Sequence, residues 1–251
     1  MSEVRLLGSG GWIPTKRRAT CCALVRNDDR ALVIDAGTGL AHLVEHPDLL
    51  EGVRELDIVL THFHLDHVVG LAYLPALPTA TPPRLHGPGA WLYDLPTEQV
   101  VADLVGPPFF PASIASMVSS VEEVSEAGLS LGSLAVRVRA QRRHPHPTLA
   151  LRVGDELTYC TDTAFDPDNA GFASGSRVLA HEAWFTEDEP RDEGGHSSAR
   201  QAGLTASAAG VAQLVLIHVR PGADEKRLLH EAHGAFAHAA VGEDLMRLGQ
   251  A

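Results

Sequence analysis

The segment Thr61-His62-Phe63-His64-Leu65-Asp66-His67 combines residue types and spacing that are suited to binding a metal ion. Imidazole and carboxylate groups are ligands that zinc, manganese and iron accept. The segment follows the apolar run at 56–60, so a strand that continued through His64 would point His62 and His64 to one face. A turn would then bring Asp66 and His67 close to them. We therefore predict a metal site here, in preference to ordinary surface histidines in a strand-to-helix loop.

Three other apolar runs end in residues that can ligate a metal or move a proton. These runs are followed by Asp162, by His181 and Glu182, and by His218. The ends of neighbouring strands meet along one edge of a sheet, which is the usual place for a site in layered α/β proteins. A single histidine such as His218 is also compatible with a role in the core, but the four endings together favour one convergent site.

The composition is that of an ordinary soluble globular protein, with 45% hydrophobic and 21% charged residues. These values exclude a disordered chain, a collagen-like chain and a coiled coil. The net charge of −12 disfavours a broad nucleic-acid-binding face. Local basic clusters at 16–18 and 142–143 are interpreted either as solvated charges or as groups that hold a substrate phosphate.

The sequence indicates neither a membrane protein nor a secreted one. No apolar run approaches the ~18 residues of a membrane span, and the first residues lack the basic region and apolar stretch of a secretory signal. The three cysteines, two of them adjacent, do not form a disulfide framework. We therefore expect a cytoplasmic protein without a membrane partner, with a homodimer left open.

Short apolar runs alternate with helical patterns, which predicts a layered α/β or α+β architecture in a single domain over residues 1–251. Strands are predicted at 4–7, 21–25, 31–34, 57–61, 134–138, 149–153, 157–160, 178–181 and 213–218. Helices are predicted at 40–45, 68–74, 199–209 and 224–238, with Ser197 or Ser198 capping the third. Gly154 and Asp155 are predicted to turn a hairpin. The proline-rich residues 75–112 are predicted to be an irregular surface excursion.

Several motifs together resemble one known family. They are the glycine-rich residues 7–15, the residues 35–39, the His-x-His-x-Asp-His core at 62–67, His-Glu-Ala-Trp at 181–184, His-Ser-Ser-Ala at 196–199 and the run 216–218. By these motifs, the sequence resembles a metallo-β-lactamase-fold hydrolase, and within that superfamily the ribonuclease Z and phosphodiesterase branch. Two positions depart from the signatures of that branch, because Trp184 and Ser198 stand where threonine is expected.

The resemblance implies a four-layer αββα sandwich that holds two divalent metal ions, with zinc expected and manganese or iron as alternatives. It implies one metal site with His62, His64 and His144, a second with Asp66, His67 and His218, and Asp162 as the bridging ligand. His146 is the alternative to His144. In similar sequences the ligand precedes the arginine of a Gly-Tyr-Arg-like strand by eight residues, and Arg152 stands in that position relative to His144.

The resemblance also implies catalytic roles for Glu182, His196 and Asp66. A carboxylate beside an imidazole raises the imidazole pKa and fixes its tautomer, so Glu182 and His196 are expected to form a general-acid pair. The alternative is a surface acid and a loop histidine that follows a turn at Gly194-Gly195. Asp66 is expected to orient the nucleophile as well as to ligate a metal. Asp35 is interpreted either as a turn-former or as a group that holds metal ligands by hydrogen bonds.

These expectations describe a metal-dependent hydrolase. In ribonuclease Z relatives, a long arm that binds transfer RNA commonly lies between the third-motif histidine and the bridging aspartate, but only 18 residues separate His144 from Asp162. We therefore expect a phosphodiesterase that acts on a small-molecule or nucleotide-like phosphodiester, with nucleic acid as a less favoured partner. The alternatives are a transfer-RNA 3′ endonuclease, a lactone or carboxylic-ester hydrolase, and a metal-stabilised binding module without turnover.

Overall fold

The computed structural model describes residues 3–190 and 195–249, whose strands form two seven-stranded sheets. The first sheet contains β1 (Glu3–Gly8), β2 (Cys22–Asn27), β3 (Arg30–Ile34), β4 (Glu55–Val59), β5 (Arg84–Gly87), β6 (Ser120–Glu123) and β14 (Arg247–Leu248). The second contains β7 (Leu129–Leu131), β8 (Leu134–Gln141), β9 (Thr148–Val153), β10 (Leu157–Cys160), β11 (Val178–Glu182), β12 (Gln213–Ile217) and β13 (Ala239–Val241). Their spatial orders are β14-β1-β2-β3-β4-β5-β6 and β13-β12-β11-β10-β9-β8-β7.

Helices of the described residues accompany both sheets. They are α1 (Ala41–Glu45), α2 (Leu65–Val68), α3 (Ala90–Tyr93), α4 (Thr97–Leu104), α5 (Asp168–Ala173), α6 (Ala199–Ala209) and α7 (Glu225–Ala235). Over 3–190 and 195–249, none of the helices has the length and apolar character needed to cross a membrane.

Three hydrophobic clusters define the layers of the fold. One cluster lies between the sheets and joins Leu6 and Leu32 of the first sheet to Leu151 and Tyr159 of the second. Side chains alternate along a strand, so Leu7 lies in a different cluster, which packs the other face of the first sheet against α1 and α4. A third cluster packs the second sheet against α5, α6 and α7. This arrangement is the αββα sandwich that the sequence motifs implied.

The predicted elements agree with the structure in most places. Each predicted strand overlaps an observed strand, and the turn at Gly154 and Asp155 joins the antiparallel β9 and β10. Ser198 caps α6, because its hydroxyl accepts from the Gln201 N–H while the Gln201 side chain bonds back to the Ser198 N–H. The helix predicted at 224–238 ends at Ala235, since the following residues enter β13.

The prediction for residues 75–112 is wrong, because this segment contains β5, α3 and α4. Its prolines lie where they do not break these elements. Pro83 stands just before the first residue of β5, so the backbone N–H groups of that strand remain available for pairing. Pro96 stands at the N-cap of α4, where a helix needs no N–H from it.

Candidate metal centre

The candidate site lies where strands of the second sheet end and where the loop after β4 approaches them. Asp162 follows β10, Glu182 is the last residue of β11, and His218 follows β12. Because β10, β11 and β12 run parallel, their carboxyl ends meet at one edge of the sheet. The predicted convergence of strand ends is therefore found.

The strand before the His-x-His-x-Asp-His motif is shorter than predicted. β4 ends at Val59, so His62 and His64 lie in a loop and not on one face of a strand. The physical reason is a competing partner: the Thr61 N–H and hydroxyl both donate to the buried Asp35 carboxylate, at 2.7 and 2.9 Å. The loop nevertheless brings the two imidazole rings to a centroid distance of 4.6 Å.

Backbone strain is concentrated at this site. Asp35, Asp162, His218 and Trp12 have φ angles of 60°, 48°, 52° and 67°, in the left-handed region that residues other than glycine seldom adopt. Such conformations cost energy and cluster at functional sites, where the surrounding structure imposes them. These residues with positive φ angles thus belong to, or directly follow, the segments that the sequence analysis singled out.

One group of side chains gathers around the Oδ1 atom of Asp162. The candidate ligand atoms of His62, His64 and Asp162 all lie within 4.8 Å of one another. His62 Nε2 is 3.8 Å and His144 Nε2 is 4.0 Å from Asp162 Oδ1. The His144 ring lies 5.0 Å from the His64 ring, centroid to centroid. These four residues therefore surround a common space.

A second group gathers around Asp66 and both oxygens of Asp162. His67 Nε2 lies 3.2 Å from Asp162 Oδ2 and 3.6 Å from Asp66 Oδ2. His218 Nε2 lies 3.3 Å from Asp66 Oδ2 and 3.4 Å from Asp162 Oδ1. Asp162 thus stands between two clusters of imidazoles, and all seven residues predicted as metal ligands are brought together.

The outer nitrogens of several rings are held by hydrogen bonds. His67 Nδ1 donates to Asp35 at 2.8 Å, and His144 Nδ1 donates to the carbonyl oxygen of His146 at 2.9 Å. These contacts turn each Nε2 toward Asp162. His146 itself is exposed, and its Nδ1 lies 3.2 Å from His64 Nε2. His146 therefore contacts His64 from the exposed side of the site. Asp35 holds both His67 and Thr61 by hydrogen bonds.

The donor atoms fit a divalent cation. His62 Nε2 is buried, with no hydrogen-bond partner among the residues that the structure describes. Buried polar atoms without partners are costly, and a cation would supply the missing contact. Burial holds the pKa of His62 well below its usual value and lowers that of His64 to about 4. Neutral imidazoles beside ionised carboxylates are the forms that bind zinc, manganese or iron.

The two carboxylates remain charged despite their burial. Burial raises the pKa of Asp162, but the charges of His218 and His67 outweigh it and hold that pKa well below the usual range. Burial also raises the pKa of Asp66, and the nearby His67 and His218 likewise bring it below its ordinary value. The His67 pKa is correspondingly raised, against burial, by Asp162 and Asp66.

Glu182 and His196 form a pair within the site, since the candidate ligand atoms of His144, Asp162 and His196 lie within 4.8 Å of one another. One oxygen of the fully buried Glu182 carboxylate accepts a hydrogen bond from the Thr163 N–H. The other oxygen lies 2.8 Å from His196 Nδ1. The His196 ring lies 5.2 Å from His144 and 5.3 Å from His218, between centroids. His181 does not join the site, since its Nδ1 bonds to the Glu182 carbonyl oxygen. Gly194, of the predicted turn, lies outside the described residues.

The structure adds residues that sequence reasoning did not assign. The Trp12 N–H donates to Asp66 Oδ2 at 2.5 Å. A Cβ on Gly11 would lie 2.5 Å from the His218 ring, so this position admits no side chain. The buried Cys21 Sγ lies within 4.8 Å of the ligand nitrogens of His67 and His218. Of these signals, only the glycine-rich motif was visible in the sequence.

The basic cluster at 16–18 divides into two kinds of residue. Arg18 is buried and is engaged by Ser9 Oγ at 2.7 Å, by the Gly242 carbonyl oxygen and by Glu225 at 3.0 Å, so its role is structural. All three basic residues line a cavity of about 300 Å³, together with Arg220 and Glu225, but Lys16 and Arg17 are exposed. This cavity begins next to the site, since Gly10 and Val219 form part of its wall.

Comparison with known proteins places these features in a family. Residues 30–219 match the beta-lactamase superfamily domain. Ribonuclease Z of Clostridium acetobutylicum is 27% identical over an alignment that covers 97% of this chain and 96% of that protein. The metallo-beta-lactamase fold protein YhfI from Bacillus subtilis has a TM-score of 0.81 at 20% identity, covering 98% of this chain and 99% of that one. A diphosphatase from the PhnP family has a TM-score of 0.78 at 17% identity, covering 100% and 98%.

The chain therefore belongs to the beta-lactamase superfamily, and it is a metal-dependent hydrolase of the ribonuclease Z and phosphodiesterase-like branch. The fold, the branch and the hydrolase class that the sequence motifs implied are confirmed. The similarity to YhfI and to the diphosphatase extends over whole chains at low identity, which supports the shared fold.

Proposed function

We propose that this chain is a two-metal phosphodiesterase that acts on small or nucleotide-like phosphodiesters. The observation that carries the proposal is the position of Asp162, whose carboxylate contacts histidines of both groups. Beside these groups, the buried Glu182 carboxylate holds His196. The arrangement offers what phosphodiester hydrolysis needs, namely places for two cations next to a proton donor.

The two candidate cation sites use the donors of the two side-chain groups. His62, His64 and His144 would hold one ion, Asp66, His67 and His218 would hold the other, and Asp162 would contribute to both sites. Such ions lower the pKa of a bound water and neutralise the charge of a phosphate group. We propose zinc because the donor set is rich in imidazole nitrogen, with manganese and iron as the alternatives to be tested by metal exchange.

The protein groups around these sites provide orientation and a proton. His196 would donate a proton to the departing oxygen, because the Glu182 carboxylate at its Nδ1 orients the imidazole. The charge of Glu182 stabilises the protonated imidazole. Asp66 accepts a hydrogen bond from the Trp12 N–H and contacts His218. It would orient the attacking water in addition to serving as a metal ligand.

Features around the site favour a small anionic substrate. The residues between His144 and Asp162 are all described, and they contain β9, β10 and a tight turn in place of an RNA-binding arm. Lys16 provides positive charge beside the site in a chain whose net charge is −12, whereas Arg17 pairs with Glu225 at 3.3 Å. A phosphodiester with a further anionic group would be attracted to this cavity.

A transfer-RNA 3′ endonuclease is the second candidate. It is favoured by the similarity to ribonuclease Z over nearly the full length of both chains. In that case the protein must hold RNA without an arm and against its own net charge, which electrostatics disfavours. The same catalytic groups serve both candidates, so substrate preference separates them.

A substrate panel tests the proposed function. We expect the metal-loaded protein to hydrolyse bis(p-nitrophenyl) phosphate with a higher kcat/KM than p-nitrophenyl phosphate or simple lactones, and to cut precursor transfer RNA poorly. The reason is that a leaving-group acid assists a departing alcohol or phenol but is not needed to open a ring. Lactone turnover that exceeds diester turnover by orders of magnitude identifies the lactonase alternative and contradicts the proposal. Efficient cleavage of precursor transfer RNA identifies the endonuclease.

A further inference from the structure

Trp184 is tied to both segments that carry His196 and His218. It follows β11, and its N–H donates to the carbonyl oxygen of Ser197 at 2.9 Å. Its own carbonyl oxygen accepts from Arg220 Nε, also at 2.9 Å. Ser197 is the neighbour of His196, and Arg220 is two residues beyond His218. The main chain of Trp184 is thus fixed relative to both histidines.

The indole of Trp184 stacks on both imidazoles. Its centroid lies 4.6 Å from that of His196 with an interplanar angle of 21°, and 5.0 Å from that of His218 with an angle of 28°. The two imidazoles are themselves 5.3 Å apart and inclined by 26°. The three distances are nearly equal, so each of the three rings lies close to the other two with its plane nearly parallel to theirs. Offset-stacked rings at these distances attract each other.

We propose that Trp184 is a positioning residue that sets the ring plane of His196, so that Nε2 points to the departing oxygen. The hydrogen bond to Glu182 restrains one edge of the imidazole, at Nδ1. The flat indole restrains the tilt of the ring about that contact. A catalytic group held in its productive geometry gains rate because little order is lost on reaching the transition state. This inference rests on the proposed function, in which His196 is the acid.

The residue type at this position departs from the signature that the sequence resembles. In the His-Glu-Ala-Thr signature that the sequence resembles, threonine stands where Trp184 stands here. A threonine side chain has no flat face and cannot stack on two rings. The chain therefore uses an aromatic contact where the signature offers a hydroxyl and a methyl group.

Kinetics of Trp184→Phe and Trp184→Thr test the proposal. Phenylalanine keeps a flat face and should retain kcat within about threefold of wild type, whereas threonine should lower kcat by ~10- to 100-fold for diesters with poor leaving groups. The loss should shrink toward p-nitrophenyl esters, and KM should change little. Equal losses for all leaving groups, or a raised KM with unchanged kcat, overturn the proposal. The second outcome identifies the indole as a substrate-binding surface.

A measurement on the metal-free protein separates this proposal from the proposed function. An indole stacked on His196 shifts the ring-proton NMR signals of that histidine upfield, and His196→Gln assigns them. We expect the shift in wild type, part of it in Trp184→Phe, and its loss in Trp184→Thr. Unchanged signals in Trp184→Thr overturn the positioning role even if diester hydrolysis is found. If the wild-type protein does not hydrolyse diesters, the proposed function is wrong. The assignment of His196 as the general acid that Trp184 positions is then wrong as well.

Discussion

Wild-type protein purified without chelator should contain about two divalent metal ions per chain, and Asp162→Ala should lose most of this metal and essentially all turnover. Asp162 has contacts to both groups of histidines, so its removal takes a donor from each. It also leaves His67 without a carboxylate that lies 3.2 Å away. Elemental analysis of both proteins, with bis(p-nitrophenyl) phosphate turnover measured on the same samples, checks this expectation.

A matched control separates loss of ligation from loss of charge. Asp48→Ala removes one exposed carboxylate far from the motifs, and it should leave metal content and turnover at wild-type levels. Circular dichroism should show that Asp162→Ala retains its secondary structure. Wild-type protein that stays metal-free after growth in metal-replete medium contradicts the two-site assignment. Asp162→Ala with undiminished metal removes Asp162 from the ligand set.

His196→Ala should lower kcat by roughly 10²- to 10⁴-fold for diesters with alkyl leaving groups, the range that general-acid assistance supplies. The loss should be much smaller for p-nitrophenyl esters, because p-nitrophenolate departs with little protonation. Metal content should stay at the wild-type level, since His196 is assigned no ligand role. Steady-state kcat against leaving-group pKa, with metal measured in each sample, provides the comparison.

Glu182→Gln should reproduce the His196→Ala pattern in weaker form. The amide still reaches His196 Nδ1 but no longer provides the charge that stabilises the protonated imidazole. His64→Ala is the matched contrast, because it should lose metal together with activity for every leaving group. Equal losses across leaving groups in His196→Ala mean that His196 positions substrate. Loss of metal in that variant means that His196 is itself a ligand.

The convergence of ligand-type residues was predictable where those residues follow strong local signals, whereas His144 was expected only from the family resemblance. Asp162 and His218 each come directly after a buried apolar strand, and the strand ends meet by the topology of parallel sheets. The spacing within residues 62–67 also indicated a site without any knowledge of the fold. The predicted conformation before His62 is wrong. The strand ends at Val59, because the Thr61 N–H donates to Asp35, which is distant in sequence.

Other features depend on contacts that no local pattern contains. The short strands Ala239–Val241 and Arg247–Leu248 exist because β12 and β1 offer them pairing partners. The stack of Trp184 on His196 and His218 joins three segments that are distant in sequence. The sequence marks Trp184 only as a departure from a signature, whereas the structure shows its indole stacked on two imidazoles.

Reconstitution of the metal-free protein tests the central claim most directly. Zinc is added in steps to chelator-treated protein while hydrolysis of bis(p-nitrophenyl) phosphate and bound metal are both measured. The two-metal account predicts negligible diester hydrolysis before addition and activity that rises until about two ions are bound per chain. Full activity in the metal-free protein, or full activity reached with a single bound ion, would contradict it.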